Sequence, residues 1–227
     1  MKKHFPLLNI FLLVFFITGC GKHENSYFPT KVGLSWTYQY SLKDSHGILK
    51  MHTLETREIS GKKVIPIVAE AQMTSTSFVV ETDTGIYDIA SQSMKDAEPQ
   101  ILPSPKCRLK FPLKVGTTWG VFENTWLLSS YMFKAEKIVP CNSTIESLNE
   151  TVTVPAGTFS NCLKVKTQGR SFIVISSWGS QPMPFEITMF EWYAPGVGLI
   201  KAIYKQKTDN NLFSGEFDEQ LQSFTNE

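Results

Sequence analysis

Along most of the chain apolar residues alternate with polar ones, with the period of two that is typical of half-buried β-strands. Val152 with Val154 and Leu163 with Val165 are clear instances. Glycine and proline interrupt the alternation, as turns between strands do. The pattern predicts strands near residues 34–42, 48–58, 63–73, 76–82, 85–91, 107–111, 119–122, 130–139, 144–154, 161–176, 185–193, 198–207 and 216–224.

Most connections between these strands are too short for the crossovers that parallel strands need, so the pattern indicates an antiparallel meander. The segment from Ser91 to Glu98 is the one place where a short helix fits the sequence. We therefore expect an all-β protein with little helix.

A nine-residue segment occurs twice, starting at Phe28 and at Phe111, with six identical positions. In both copies proline and glycine precede a tryptophan, Trp36 or Trp119, that begins a predicted strand. The repeat indicates either an ancient duplication of a half-domain or one strand-entry device used twice, and the second interpretation is favoured because the similarity ends with the nonapeptide.

The first 20 residues have the pattern of a bacterial lipoprotein signal: a basic start, a short apolar run and then Gly19-Cys20. We expect residues 1–19 to be a signal peptide, residues 20–27 a polar tether, and residues 28–227 a single β domain. Lipidation of Cys20 would make membrane lipid the first partner, and Gly21 favours the outer membrane, facing the periplasm, because aspartate there would favour inner-membrane retention in enteric bacteria. A plain secretory signal with an incidental cysteine is the alternative.

Composition adds two constraints. Hydrophobic residues make up 42% of the chain, which favours a folded core. Removal of Lys2 and Lys3 with the signal leaves 20 basic against 21 acidic side chains, and no basic block is present. Nucleic-acid binding, which needs clustered cations, is therefore not supported.

Three cysteines remain in the mature chain, and their spacing matches no redox or zinc motif. In an oxidising compartment one disulfide and one free thiol are expected. Cys107 and Cys141 each follow a proline, where strand entries can approach one another, so we predict that these two pair and that Cys162 stays free.

No catalytic, metal or cofactor site is predicted. His46 and His52 lack acidic or cysteine partners nearby in the sequence, and no nucleophile elbow occurs. Glu186 and Glu191 differ by five positions and fall on opposite faces of a strand. The acidic side chains of the last strand are those expected of a solvated edge strand.

Three segments together carry a resemblance to a known group: the opening from Tyr27 to Tyr38, the Val-Pro-Ala-Gly-Thr-Phe motif at 154–159, and the Trp-Tyr-Ala-Pro-Gly-Val-Gly-Leu motif at 192–199. The chain resembles a family of uncharacterised bacterial envelope lipoproteins, a domain of unknown function. The resemblance implies a curved sheet similar to the open half-barrel of lipoprotein carriers, and it transfers no activity.

Two non-enzymatic functions follow as hypotheses. A curved sheet with an aromatic concave face could bind an apolar or lipid-like ligand, and a structural or assembly role with an envelope protein as partner is the alternative. The candidate lining residues are Trp36, Tyr38, Tyr40, Phe190 and Trp192, with few charges expected among them. An enzyme is disfavoured because no nucleophile–base pair is apparent.

Overall fold

The computed structural model describes residues 26–42, 45–125, 138–174, 181–209 and 214–226. Thirteen strands account for most of this part of the chain, and no helix occurs in it. The strands are β1 (Leu34–Leu42), β2 (Ser45–Thr53), β3 (Arg57–Ile59), β4 (Lys62–Glu70), β5 (Thr74–Thr82), β6 (Gly85–Ser93), β7 (Gln100–Lys110), β8 (Thr118–Asn124), β9 (Ile138–Val154), β10 (Gly157–Ile173), β11 (Met183–Ala194), β12 (Gly198–Thr208) and β13 (Gly215–Asn226).

All strand pairs are antiparallel, as predicted, and form one curved sheet in the order β7-β6-β5-β4-β2-β1-β13-β12-β11-β10-β9-β8, with β3 paired to β4 alone. The sheet consists of two meanders, β1–β7 and β8–β13. Pairing of the first strand with the last, from Leu34 with Asn226 to Leu42 with Phe217, joins the meanders. The sheet therefore closes further than an open half-barrel and forms a nearly complete barrel.

One seam remains, between β7 and β8, which share no ladder of backbone hydrogen bonds. Side chains cross it instead. The Trp119 indole Nε1 donates to the Cys107 carbonyl at 3.3 Å, and Lys106 Nζ lies 3.0 Å from Glu123 Oε1. The seam is thus closed by side chains rather than by strand pairing.

The largest apolar cluster fills the barrel between the two meanders. It contains Ile67 and Leu109 from the first meander and Ile145, Leu163 and Ile187 from the second. A smaller cluster lies on the outer face of β4–β6, where Ile59 of β3 covers Phe78. Side chains from opposite walls therefore meet in the interior, and burial of this apolar surface stabilises the closed sheet.

We call the two ends of the barrel the packed end and the entry end. The packed end contains the start of β1 and the β11–β12 turn, where the Trp36 indole donates to the Val197 carbonyl at 2.7 Å and Phe28 is buried. The entry end contains Leu42 and Gly215, where β1 finishes and β13 begins. The two nonapeptides lie at the packed end and run into the first residues of β1 and β8, so each begins one meander.

Two local expectations need correction. The predicted helix at 91–98 is the end of β6 and a turn, because the Asp96 carboxylate accepts hydrogen bonds from the Ser93 amide and hydroxyl, both at 2.8 Å. Strand β7 begins at Gln100 rather than near 107 and contains Pro103 and Pro105. Prolines fit there because β7 borders the seam and its register with β6 is irregular.

Candidate functional site: the barrel interior

Polar side chains converge in the interior from both meanders, where few charges were expected. On β1, β6, β8, β11 and β13 these side chains lie in phase with buried apolar neighbours. On β7, Arg108 lies at a register shift with β6, and Lys106 is exposed and reaches Glu123 from the seam. The polar group consists of Tyr38 of β1, Asp88 of β6, Lys106 and Arg108 of β7, Glu123 of β8, Glu191 and Tyr193 of β11, and Glu219 of β13.

Two of the four acids in this group form ion pairs. Arg108 Nε donates to Asp88 Oδ1 at 2.8 Å, and the Arg108 guanidinium lies 5.3 Å from the centroid of the Phe28 ring. Burial opposes the charge on Arg108, but the contact with Asp88 outweighs it and the pKa of Arg108 is raised. Glu123 is neutralised by Lys106 across the seam. These pairs satisfy Asp88 and Glu123.

The other two acids, Glu191 and Glu219, lie on either side of Ala202. The register pairs Glu191 with Ala202 and Ala202 with Glu219. Burial raises the pKa of Glu191 to about 7, with a further contribution from the charge of Glu123 and an opposing hydrogen bond from Tyr193. Burial and then the charge of Glu191 raise the pKa of Glu219 to about 7 as well. Both carboxyls therefore change their protonation near neutral pH.

Tyrosine hydroxyls of the interior act as hydrogen-bond donors. The Tyr38 hydroxyl donates to the Leu199 carbonyl at 2.9 Å, and the Tyr204 hydroxyl donates to the Asn124 carbonyl at 3.1 Å. Burial raises the pKa values of Tyr38 and Tyr193 well above the ordinary value. Ionised phenolate is thus not a participant at physiological pH.

Apolar side chains lie between the acid pair and the entry end. Tyr40 is paired with Glu219, Leu42 with Phe217, and Met189 with Tyr204. The rings of Tyr40 and Phe217 are 5.6 Å apart between centroids. Tyr40, Leu42, Met189 and Phe217 keep part of their surface accessible, whereas Tyr204 is buried. The half-buried positions at this end lie on β1, on β13 and at Met189 of β11, while Phe185, Ile187 and Gln206 are almost fully buried.

The structure divides the predicted lining residues between the two faces of the sheet. Trp36, Tyr38 and Tyr40 share the buried phase of β1, and their role as a ligand lining stays a prediction. Phe190 and Trp192 are in phase with the outward lysines of β10, because the register pairs Trp192 with Lys164 and Phe190 with Lys166.

On the outer face, Lys164 Nζ lies 5.2 Å from the Phe190 ring centroid and 5.6 Å from that of Trp192. The Trp192 indole donates to Glu150 Oε2 at 2.7 Å. The five residues therefore do not form one lining, and the hypothesis for Phe190 and Trp192 is corrected by the register.

The structure also lacks the disulfide that we predicted. Cys107, Cys141 and Cys162 are free thiols. Cys107 is in β7 and Cys141 in β9, and β8 lies between those strands. Two strand spacings amount to about 9–10 Å, whereas bridged cysteines have Cα atoms less than about 7 Å apart. Cys20, the predicted lipid-attachment residue, lies outside the described residues.

The buried acids were not predicted from the sequence, because Glu219 was assigned to a solvent-exposed edge strand and Glu191 was treated only as a possible partner of Glu186. Strand β13 is not the solvated edge that we expected, since it pairs with β1 on one side and β12 on the other. A usable signal existed: Glu219 occupies the same phase as Phe217 and Leu221, and Glu191 the same phase as Tyr193. An acid in the apolar phase of a strand indicates a buried carboxyl.

Two further searches of the described residues gave negative findings. No group of three or more histidine, cysteine, aspartate or glutamate side chains is arranged to hold a metal ion. No helix there has the length and apolar character required to cross a membrane.

Comparison with known proteins assigns the family. The model of the DUF3108-like family matches residues 42–215, which is more than half of the chain. The chain belongs to the DUF3108-like family. This assignment confirms the resemblance to a domain of unknown function. The match to this DUF3108-like chain begins within β1 and extends to the first residue of β13.

Two solved structures are similar to this DUF3108-like chain, and each aligns over 88% of it and 99% of its own length. One, from Parabacteroides distasonis, is described as a lipoprotein and has 15% identity and a TM-score of 0.42. The other, from Bacteroides fragilis, is described as an exported protein with a YmcC-like fold and has 17% identity and a TM-score of 0.41. No curated protein matches the chain significantly.

Proposed function

We propose that this protein is a lipid-anchored, non-enzymatic protein of the bacterial envelope that binds a small amphiphilic ligand inside its barrel. The ligand-binding part of this proposal rests on three side chains, Tyr40, Met189 and Phe217. They are inward-facing, only half-buried, and adjacent to two carboxyls. Small-molecule sites are concave, mostly apolar and contain a few polar groups that fix orientation. A purely apolar ligand fits this interior less well, because Glu191 and Glu219 would be left in contact with hydrocarbon.

The non-enzymatic part rests on the state of the thiols as well as on the sequence. Burial raises the pKa of Cys141 to about 11, and burial also raises the pKa values of Cys107 and Cys162. The thiolate is the nucleophilic form of cysteine, so these surroundings suppress its reactivity. The structural or assembly role remains the alternative, favoured by the apolar cluster that fills most of the barrel.

Anchoring is tested by replacing Cys20 with serine and following the incorporation of labelled palmitate. We expect the wild-type chain to be labelled and to fractionate with the outer membrane, and the variant to be unlabelled. Palmitate incorporation that persists in Cys20→Ser would contradict anchoring at this residue. Fractionation of the lipidated protein with the inner membrane would contradict the location alone.

Ligand binding is tested by native mass spectrometry of protein purified from membranes. We expect an additional mass of a few hundred daltons on the wild-type protein and its loss in Ala202→Phe, which places a ring between the two acids. Ile203→Phe is the matched control, because residue 203 faces outward on the same strand. A wild-type mass equal to that of the lipidated polypeptide would favour the structural role instead.

A further inference from the structure

One carboxyl in the interior lacks a partner. Asp88 and Glu123 are paired with Arg108 and Lys106, and Glu191 accepts a hydrogen bond from Tyr193. The Glu219 carboxyl has neither a hydrogen bond nor an ion pair with any described residue, although the residue is only 8% exposed. Buried polar groups without partners are rare in folded proteins and are costly to leave unsatisfied.

The surroundings of Glu219 define what could satisfy it. Glu191 lies two strands away at the same level of the barrel, so their Cα atoms are about 10 Å apart, twice the spacing of neighbouring strands. Ala202, between them, contributes only a methyl group. A small group with several hydrogen-bond donors placed over Ala202 would reach both carboxyls.

Aromatic and apolar side chains lie beside the two acids. Tyr40 is the direct cross-strand partner of Glu219, and its ring is tilted against that of Phe217. Met189 lies opposite Tyr204 on the neighbouring strands of the same wall. An aromatic face beside a carboxylate favours a cation, because the ring and the acid both attract positive charge. The two acids, when ionised, oppose an anion here.

We propose that Glu191 and Glu219 bind the primary ammonium group of an amphiphilic ligand whose apolar part lies against Tyr40, Phe217 and Met189. This inference rests on the proposed function, since it names the chemical class of the ligand. The three N–H donors of an ammonium group satisfy both carboxylates through charge-assisted hydrogen bonds. A quaternary ammonium group lacks these donors and is expected to bind less tightly.

The test compares hexylammonium with 1-hexanol, which has the same chain and no charge. The mature lipidated protein is held in phosphatidylcholine nanodiscs, and binding is measured by calorimetry with empty nanodiscs subtracted. At pH 8 we expect hexylammonium to bind at least tenfold more tightly than hexanol. At pH 5.5 this preference should disappear, because both carboxyls are then protonated.

Variants distinguish recognition of the ammonium charge from recognition of the alkyl chain of the probe. Glu219→Gln should weaken hexylammonium binding at least tenfold and leave hexanol binding unchanged, and Glu191→Gln should act in the same direction. Asp218→Asn is the matched control, because it removes a carboxylate from the outward side of the same strand and should leave both affinities unchanged. Thermal unfolding of each variant confirms that it is folded.

The other possible results contradict either the ammonium site alone or the proposed function as a whole. Equal binding of hexylammonium and hexanol by the wild type, or an unchanged affinity in Glu219→Gln, would overturn the ammonium site while leaving an amphiphile-binding interior in place. Failure of both probes to bind up to their solubility limits, together with a ligand-free native mass, would overturn the proposed function and this inference together.

Discussion

Replacement of Glu219 by glutamine should change the way in which stability depends on pH. The carboxyl has a pKa of about 7 in the folded protein against an ordinary value of 4.5. At pH values between 4.5 and about 7 the Glu219 carboxyl is ionised in the unfolded chain but still protonated in the folded protein. The stabilisation is therefore complete below pH 4.5 and is lost as pH rises through 7.

The magnitude follows from the difference between the two pKa values, which corresponds to about 3 kcal/mol. Glutamine has a similar shape and no charge, so Glu219→Gln should exceed the stability of the wild type by less than about 1 kcal/mol at pH 5 and by up to about 3 kcal/mol at pH 8. For a domain of this size that is about 6–12 °C in melting temperature. The charged and titratable groups that influence Glu219, directly or through Glu191, are Tyr38, Lys106, Arg108, Glu123, Glu191, Tyr193 and Asp218.

The assay is urea denaturation of wild type, Glu219→Gln and Asp218→Asn at half-unit steps from pH 5 to pH 8. Contributions common to all three proteins, including those of histidines, cancel in the differences. Asp218→Asn should keep most of the wild-type trend, because burial is the largest cause of the raised pKa of Glu219 and the charge of Asp218 is the smallest. The Asp218 carboxylate accepts a hydrogen bond from Gln220. A Glu219→Gln protein that is less stable than wild type at pH 8, or that retains the wild-type slope, would refute the burial argument.

Three further predictions concern turns, thiols and the seam. Gly157 and Gly196 have φ angles of 136° and 73°, so valine at either position should cost about 1–3 kcal/mol in urea denaturation. Gly120→Ala, where a Cβ has open space, is the control, and unchanged midpoints for both valine variants would contradict the strain. A thiol reagent at pH 8 should react slowly with the folded protein and should label three cysteines after denaturation. Labelling of only one cysteine after denaturation would indicate a disulfide. Trp119→Phe removes the indole donor that crosses the seam and should lower the free energy of unfolding by about 0.5–1.5 kcal/mol. Amide hydrogen exchange in β8 should become faster. An equal increase of exchange in β5 would contradict a local effect at the seam.

Much of the fold could be predicted from the sequence because antiparallel strands show their two faces in a period of two. Strand β1 was predicted with its observed bounds, and the turns at Gly157 and Gly196 follow from residues that tolerate positive φ. Closure could not be predicted in this way. The pairing of β1 with β13 joins residues that are almost the whole chain apart, and alternation says nothing about which edges meet.

The same limit explains the errors at the site. Alternation placed Phe190 and Trp192 on one face together, but it could not decide whether that face was the interior. The decision depends on neighbouring strands: Lys164 and Lys166 share the face of Phe190 and Trp192, whereas Leu163 and Val165 face the core. Cys107 and Cys141 were brought together by their positions after prolines, while the topology inserts β8 between them.

The position of Ser26 determines which way the barrel points if Cys20 carries lipid. The Gly196 amide donates to the Ser26 carbonyl at 2.9 Å, which fixes the start of the described chain at the packed end. Five residues lie between Cys20 and Ser26, and the six steps of an extended chain reach at most about 20 Å. The bilayer would then lie beneath the packed end, and Tyr40, Phe217 and the two acids would open toward the aqueous side. A ligand of this protein would therefore arrive from water or from a soluble donor, rather than by lateral diffusion out of the membrane that holds the protein.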